Sequence, residues 1–486
     1  MKDTILGHPK GLVTLFFTEM WERLSYYGMR ALLVLFMTDQ IVNGGIGMTD
    51  AEATAIYGIY TALVYLVALP GGWIADRIIG SQSAILAGGI IIMCGHFVLA
   101  IPSLNTFYLG LLLVILGTGL LKPNISAILG ELYSPSDDRR DAGFSIFYMG
   151  INIGGMLGPI ICGALAQNQN YGWHYGFAVA GIGMLFGIIQ FWKTRHYLGT
   201  AGLPPSNVNI KKTWTLISIG LIVTLGLLWV SIINIGDINF IRMSEFITYI
   251  ILFTAFSFFA YILLLGKLTS QERNRVWVII ALFLGASMFW AGFEQAGSSL
   301  NLFANRYIKL EFGWITLYSS WFQSINSIFI IIFAPMFAYM WIWLAKKNLN
   351  PSTPTKFAIG LLFLALGFFM MVMASTIVAN GNQAMPTWLL LTYLFHTFGE
   401  LALSPVGLSV TTKLAPKRFV GQMMGIWFVA SALGNLIAGR IAGEFNVNEI
   451  TSFPDQYLNI VITSAGAGII LLIISKPLQK LMGNVE

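Results

Sequence analysis

Four ionisable side chains, Glu19, Glu22, Arg23 and Arg30, stand inside an apolar run from about Leu12 to Met37. A helix of roughly 20 mostly apolar residues crosses the ~30 Å hydrocarbon core of a bilayer, so this run has the length of a membrane span with ions in its middle. Each intramembrane charge costs about 2.5–3.5 kcal/mol on insertion scales, and such residues line a pathway or pair with one another. Wound at about 100° per residue, Glu19, Glu22, Arg23, Tyr26, Tyr27 and Arg30 fall on one stripe covering less than half of the helix circumference. The remaining face is Leu, Phe, Met and Val, suited to lipid or to packing. Fastening this helix to a neighbour does not require four charges and two tyrosines.

The rest of the chain supplies the membrane context. Of its 486 residues 56% are hydrophobic and 10% charged, against about a quarter charged in soluble domains, which leaves no room for a sizeable soluble domain. Apolar runs broken by Gly, Pro and charge give fourteen spans, at about 12–37, 54–76, 83–102, 105–131, 142–166, 174–194, 213–234, 246–266, 276–300, 314–344, 356–378, 386–413, 420–444 and 457–478. An even number puts both termini on one side. Sorted over alternating loops, twenty of the 27 Lys and Arg fall with the termini and only Arg242, Arg306 and Lys309 fall opposite, while Arg23, Arg30, Lys122 and Arg440 lie within spans. Basic residues are retained on the cytoplasmic side, so both termini are expected there. The net charge of +6 follows from that bias and implies no nucleic-acid partner. The first apolar run is too long and too charged for a signal-peptide core, so it is expected to persist in the mature chain. Cys94 and Cys162 sit in apolar runs where packing is the expected role, and no spacing of residues suggests a metal or cofactor.

Further polar residues recur at mid-span. Span four carries Lys122 beside Pro123, and a later span carries Glu400 and Ser404 ahead of Pro405; each proline is expected to interrupt its helix. With two six-helix halves and an extra pair between them, these are the corresponding helices of the two halves. Interrupted helices at matching places in two repeats point to a transporter's substrate site. The first helices of the halves correspond likewise, and both bring carboxylate to mid-span: Glu19 and Glu22 in one, Glu294 beside Trp290 and Gln295 in the other. Tyr148 and Asn152 lie one turn apart in span five, and Gln323 and Asn326 add amides in the second half. His396 stands one turn before Glu400. The stretch Gly71-Gly72-Trp73-Ile74-Ala75-Asp76-Arg77 resembles the loop 2–3 signature of the major facilitator superfamily, with Ser81 and Gln82 where many members have further basic residues.

Glu19-x-x-Glu22-Arg23 with Tyr26-Tyr27-Gly28, the Gly71 stretch, Phe147-Tyr148-Met149-Gly150-Ile151-Asn152-Ile153-Gly154 and Phe293-Glu294-Gln295 together resemble the proton-dependent oligopeptide transporters, a major facilitator branch. The resemblance covers almost the whole chain. It implies an all-α polytopic membrane protein of the major facilitator fold: an N-terminal six-helix bundle over 1–199, a linker with two additional transmembrane helices over 200–275, and a C-terminal six-helix bundle over 276–486. It also implies that Arg30 and Lys122 hold a peptide carboxylate and Glu400 the peptide amine. Asn152 and Asn326 would bind peptide backbone, and Tyr26, Tyr65, Trp290 and Trp427 would shape side-chain pockets. Glu19, Glu22 and Arg23 would link protonation to transport. Arg30 with Glu294 would form an outer gate, and Lys122 with Glu400 would help close the inner side. Span two lacks the histidine of animal members, so coupling is expected to fall on carboxylates.

The residues read by themselves lead to the same chemistry. A short peptide is a zwitterion, and a cleft with Arg30 and Lys122 on one half and Glu400 on the other matches both ends while reading few side chains. The expectation is a proton-coupled symporter importing di- and tripeptides by alternating access with broad side-chain specificity, in a bacterial cytoplasmic (inner) membrane. Its partners would be peptides, protons and the lipid bilayer, with no obligate protein partner. The alternative is a major facilitator carrier for another small anion or a drug, although a small anion needs no amine partner. A membrane enzyme would need a nucleophile and base or metal ligands at one membrane face, and no such cluster stands out.

Overall fold

The computed structural model describes residues 4–5, 7–134, 137–204, 238–313, 315–445 and 447–483. Twelve helices among them are long and apolar enough to cross a membrane. The charged first helix, α1 (Lys10–Thr38), stands outside that set yet is 29 residues long. This is a multi-pass membrane protein. Thirteen of the fourteen expected spans coincide with helices, and the one at 213–234 lies outside the described residues.

The chain forms two compact units, one of 1–47 and 63–239 and the other of 48–62 and 240–486. The first contains α1, the later part of α2 (Asp50–Ile74), α3 (Ser81–Leu99), α4 (Leu104–Glu131), α5 (Arg140–Ala166) and α6 (Trp173–Thr194). Leucines and isoleucines of α1, α3 and α4, among them Leu15, Ile92, Leu121 and Ile125, bury themselves in one core with Met184 and Phe191 of α6. In lipid, helices gain little by hiding apolar surface from one another, so close packing over small residues holds them together. On α5, Gly150, Gly154 and Gly158 make one ridge against α1. A Cβ on Gly150 would come 2.9 Å from Phe16, one on Gly154 2.8 Å from the Arg23 Cβ, and one on Gly158 2.8 Å from the Gly28 nitrogen. That ridge fixes the height and rotation of the charged stripe.

Two expectations about helix breaks are corrected. Helix α4 runs unbroken through Pro123, and the helix Pro386–Leu414 runs unbroken through position 405. Pro123 denies a donor to the carbonyl of Gly119, and Gly71 packs over that carbonyl at a distance no side chain would tolerate. Beside it, the buried Asn124 amide donates to Leu120 O at 2.6 Å and Gly71 O at 3.4 Å and accepts from Ser81 Oγ at 3.3 Å. A side chain thus ties α2, α3 and α4 together where the ladder lacks a rung. The Gly71–Arg77 stretch also differs from a loop, for α2 continues into a π-helical turn over Ala75–Ile79 that ends at Gly80, φ 77°. Ser81 and Gln82 serve as anchors there: Gln82 Nε2 donates to Ala201 O at 2.7 Å and its backbone N–H to Gly202 O at 3.0 Å.

The second unit holds the start of α2 together with α7 (Phe240–Leu265), α8 (Ser270–Phe293), the short α9 (Ser299–Tyr307), α10 (Ser324–Lys346), α11 (Thr353–Ala379), α12 (Pro386–Leu414), α13 (Val420–Gly443) and α14 (Phe453–Met482). Helix α11 lies at its centre, with Phe357, Leu361, Leu364, Phe368 and Met371 fully buried. Gly434 lets α13 close on Trp290 and Ser287 of α8, and Gly58 meets Asn435 and Gly439 of α13. The expected span at 276–300 is the helix that breaks: α8 ends at Phe293, Glu294–Gly297 form a 3-10 turn, and α9 follows. Gly297 lies against the Tyr57 hydroxyl, so even a methyl group there would collide. The span expected at 314–344 starts later, with a 3-10 turn over Ser319–Gln323 leading into α10.

Candidate functional site

In the first unit the ionic stripe of α1 is buried. Glu19, Glu22 and Arg23 are 3%, 0% and 3% exposed, so water does not supply their partners. Arg23 donates through Nη2 to Glu22 Oε1 at 2.5 Å and through Nε to the other Glu22 oxygen, and the same Nε lies 3.3 Å from Glu19 Oε1. Its guanidinium also stands 4.9 Å from the Tyr26 ring centre and 5.7 Å from that of Tyr27, each a cation–π distance. Arg30, one further turn along, lies 5.8 Å from the Tyr27 ring. Tyr27 is therefore within cation–π reach of two cations.

Lys122 reaches α1 from α4. Its ammonium sits 4.2 Å above the Tyr65 ring and acts electrostatically on Glu19. On α5, Asn152 is buried and donates to Tyr148 O at 2.9 Å, while the Tyr148 ring is 40% exposed. The structure thus gathers Glu19, Glu22, Arg23 and Tyr26 into one contact set, with Lys122 within electrostatic reach of Glu19. Tyr65 joins it through Lys122 and Arg30 through Tyr27. Tyr148 and Asn152 share a face of α5 turned away from the glycine ridge and are a separate feature.

In the second unit Glu294 sits at the break after α8, 3% exposed. Asn326 of α10 donates through Nδ2 to Glu400 Oε2 at 3.0 Å and to Thr397 Oγ1 at 3.0 Å, both on α12. Glu294 lies within electrostatic reach of Glu400. Trp290 packs edge-on to Phe289 and Phe293 at 5.5 and 5.3 Å. Trp427 packs against Gly407, with its ring centre 6.2 Å from that of Phe357. The Trp290 indole N–H, the Ser404 hydroxyl, the Gln323 amide nitrogen and Glu19 Oε2 are buried without a hydrogen-bond partner among the described residues. His396 is fully buried against Phe368 and Gly367.

By charge the two sets differ. The first carries three cations, Arg23, Arg30 and Lys122, with two carboxylates. The second carries the carboxylates Glu294 and Glu400. The paired residues expected to form gates, Arg30 with Glu294 and Lys122 with Glu400, have one member in each unit.

Two polar residues escaped the sequence reading. Thr397 is a buried threonine on an apolar helix and carries no periodic signal. Asp50 forms a bidentate pair with Arg306, at 2.5 and 2.8 Å, although 256 residues separate them. No local spacing announces such a partner. No group of three or more His, Cys, Asp or Glu placed to hold a metal ion occurs among the described residues.

A family model described as the POT family matches residues 82–458. The chain is 44% identical over 483 residues to the uncharacterized transporter YclF of Bacillus subtilis (strain 168), covering 99% of this chain and 96% of that protein. It is 39% identical over 499 residues to a di-/tripeptide transporter of Lactococcus lactis subsp. cremoris, covering 100% and 99%. A crystal structure of a peptide transporter POT in complex with sulfate has 42% identity and a TM-score of 0.89, covering 99% and 97% of the two chains. With the family model spanning most of the chain and the helices superposing on a solved member, the architecture is that of the major facilitator fold and the chain belongs to the POT family.

Proposed function

We propose that this protein is a proton-coupled symporter that imports di- and tripeptides by alternating access, reading the two charged ends of the peptide and few of its side chains. The observation that carries the reading is the charge division: Arg30 and Lys122 belong to one unit, Glu294 and Glu400 to the other. A zwitterion needs both signs. Arg30 and Lys122 take the peptide carboxylate, Glu400 its amine, and Asn152 and Asn326 its backbone. Tyr26, Tyr65, Trp290 and Trp427 surround the side chains, and Tyr148 and Ser404 also contribute to substrate binding. The di-/tripeptide transporter of Lactococcus lactis, alike over its whole length, supports the same substrate class.

Coupling follows from competition for cations. A carboxylate that loses a cationic neighbour in a buried site binds a proton more readily. When the peptide carboxylate occupies Arg30 and Lys122, Glu294 or the Glu19/Glu22 pair around Arg23 takes up a proton, and the neutralised bundles, 1–199 and 276–486, rock inward. The pairs Arg30 with Glu294 and Lys122 with Glu400 form and break in turn. The driving force is about 1.4 kcal/mol per pH unit plus about 2.3 kcal/mol per 100 mV for each net charge moved. The excess of Lys and Arg on one set of loops supports a bacterial inner-membrane protein with both termini in the cytoplasm. The substrate leaves unaltered, so the protein is not an enzyme.

The test is uptake of labelled di- and tripeptides by liposomes containing the pure protein, with an imposed inward proton gradient and an uncoupler control. Gradient-dependent accumulation that the uncoupler abolishes is the expected result. Saturable transport of a small anion or a drug without peptide transport would replace this reading by that of another major facilitator carrier.

A further inference from the structure

In the second unit the hydroxyl of Thr397 is the middle of a short hydrogen-bonded chain. It donates to Tyr393 O at 2.7 Å and receives Asn326 Nδ2 at 3.0 Å, and the same nitrogen donates to Glu400 Oε2 at 3.0 Å. Thr397 is 0% exposed, so water does not compete for these bonds. A hydroxyl has one proton. With that proton given to the Tyr393 carbonyl, Thr397 Oγ1 can only accept. Both hydrogens of the Asn326 amide are then committed, one to Thr397 and one to Glu400. Flipping the amide would set its oxygen against a carboxylate and against a hydroxyl with no proton left to give, two repulsive contacts. The network therefore dictates the orientation of the amide. Among the described residues its oxygen accepts no hydrogen bond, and it belongs to the same amide that donates to the Glu400 carboxylate.

We propose that Thr397 is a positioning residue that, through Asn326, makes this site selective for a free amino terminus. The proposal rests on the reading of Glu400 as the holder of the peptide amine. With the amide locked, Glu400 and the Asn326 oxygen together offer acceptors alone. An ammonium group, which has three donors and no acceptor, fits such a site. A terminus without the amine offers no donor to it. Without the threonine hydroxyl one of the two contacts that oppose a flip is lost and Glu400 alone holds the amide, so its N–H groups turn to a neutral or acylated terminus more readily than in the wild type.

The experiment is competition against labelled dialanine uptake in proteoliposomes, using unlabelled dialanine and its deaminated analogue propanoyl-alanine, in the wild type, Thr397→Val and Thr397→Ser. Thr397→Val is expected to raise the KM for dialanine about tenfold, the scale of one hydrogen bond to a charged group, with Vmax changed less than about twofold. Its inhibition by propanoyl-alanine should stay at the wild-type level, so the preference for the free amine narrows about tenfold. Thr397→Ser keeps the hydroxyl and should restore the preference. Should Thr397→Val fail to fold, Thr397→Ala takes its place. A valine variant with the wild-type preference, an equal loss for both compounds, or a serine variant that behaves like valine would each overturn the proposal. A wild type that discriminates between the two compounds while Thr397→Val discriminates equally sinks the role of Thr397 alone. A wild type that transports no dialanine sinks the peptide reading and this proposal with it.

Discussion

Arg23 bends along its own helix to hold Glu22, the residue directly before it, through both Nε and Nη2. Consecutive residues on a helix point about 100° apart and do not ordinarily face each other. Here the glycine ridge of α5 packs against Met20, the Arg23 Cβ and Leu24, which covers the arginine side chain at its root. Glu19 reaches the same nitrogen at 3.3 Å. Two acids thus share one base; with both ionised the trio bears one negative charge, which a single proton removes. This is the chemical basis of the proposed coupling.

Removing the acid held most tightly should separate binding from coupling. Glu22→Gln keeps the shape but fixes the trio in its neutral form. Uptake against a gradient is expected to vanish, while counterflow exchange of labelled for unlabelled peptide continues. Intact pH-driven accumulation in that variant would show that Glu22 carries no proton.

Lys122 is held by the Tyr65 ring at 4.2 Å and is proposed to meet the peptide carboxylate. Lys122→Gln forfeits a charge-assisted hydrogen bond, so kcat/KM for dialanine should fall about 10- to 100-fold. Uptake kinetics with dialanine and a carboxyl-amidated dialanine provide the measurement: the amide, which has no carboxylate to lose, should be far less affected.

The ridge of α5 can be tested by adding one methyl group. Gly154→Ala would place a Cβ against the Met20 carbonyl and 2.8 Å from the Arg23 Cβ, and backbone cannot move aside cheaply. Overpacking of this kind costs about 1–3 kcal/mol. Thermal unfolding in detergent should show a clear drop in Tm and uptake should be impaired. Gly421→Ala, on a helix where a Cβ meets nothing within 4 Å, should be neutral or mildly stabilising.

Much of this architecture was legible because a membrane span announces itself by length and apolarity, and Lys10–Thr38, Arg140–Ala166 and Pro386–Leu414 lie within a few residues of the expected bounds. The stripe from Glu19 to Arg30 was legible for the same reason, since charge in such a run stands out. Helix breaks were misjudged because proline was weighed by its own backbone alone. At Pro123 the helix runs on with Gly71 packed over the Gly119 carbonyl and the Asn124 amide tying neighbouring helices beside it, whereas at Glu294 no proline warns of the turn, where Gly297 admits the Tyr57 hydroxyl closer than any side chain would allow. Thr397 and the Asp50–Arg306 pair stayed hidden because their partners come from distant segments. Helix propensity and spacing carry no record of such contacts.

On the loop between α4 and α5, outside the spans, the Arg139 guanidinium and backbone N–H bond the Asp137 carboxylate and hold it down to about 2 from an ordinary 3.8. The sign is that of a depressed acid: the pair's stabilisation is present above pH 3.8 and is lost as pH falls through about 2. Its charge is constant over the range in which uptake is measured. Asp137→Asn should therefore leave the pH profile of peptide uptake unchanged between pH 5 and 8, in contrast to Glu22→Gln. A shifted profile would place a coupling group in this loop.

The most direct test of the central claim, that peptide capture and proton capture are one event, is the internal pH of proteoliposomes when peptide is added outside without any imposed gradient. The wild type should acidify the lumen as dialanine enters, at a rate that saturates with peptide, and Glu22→Gln should not. Peptide entry with no acidification in the wild type would contradict the account.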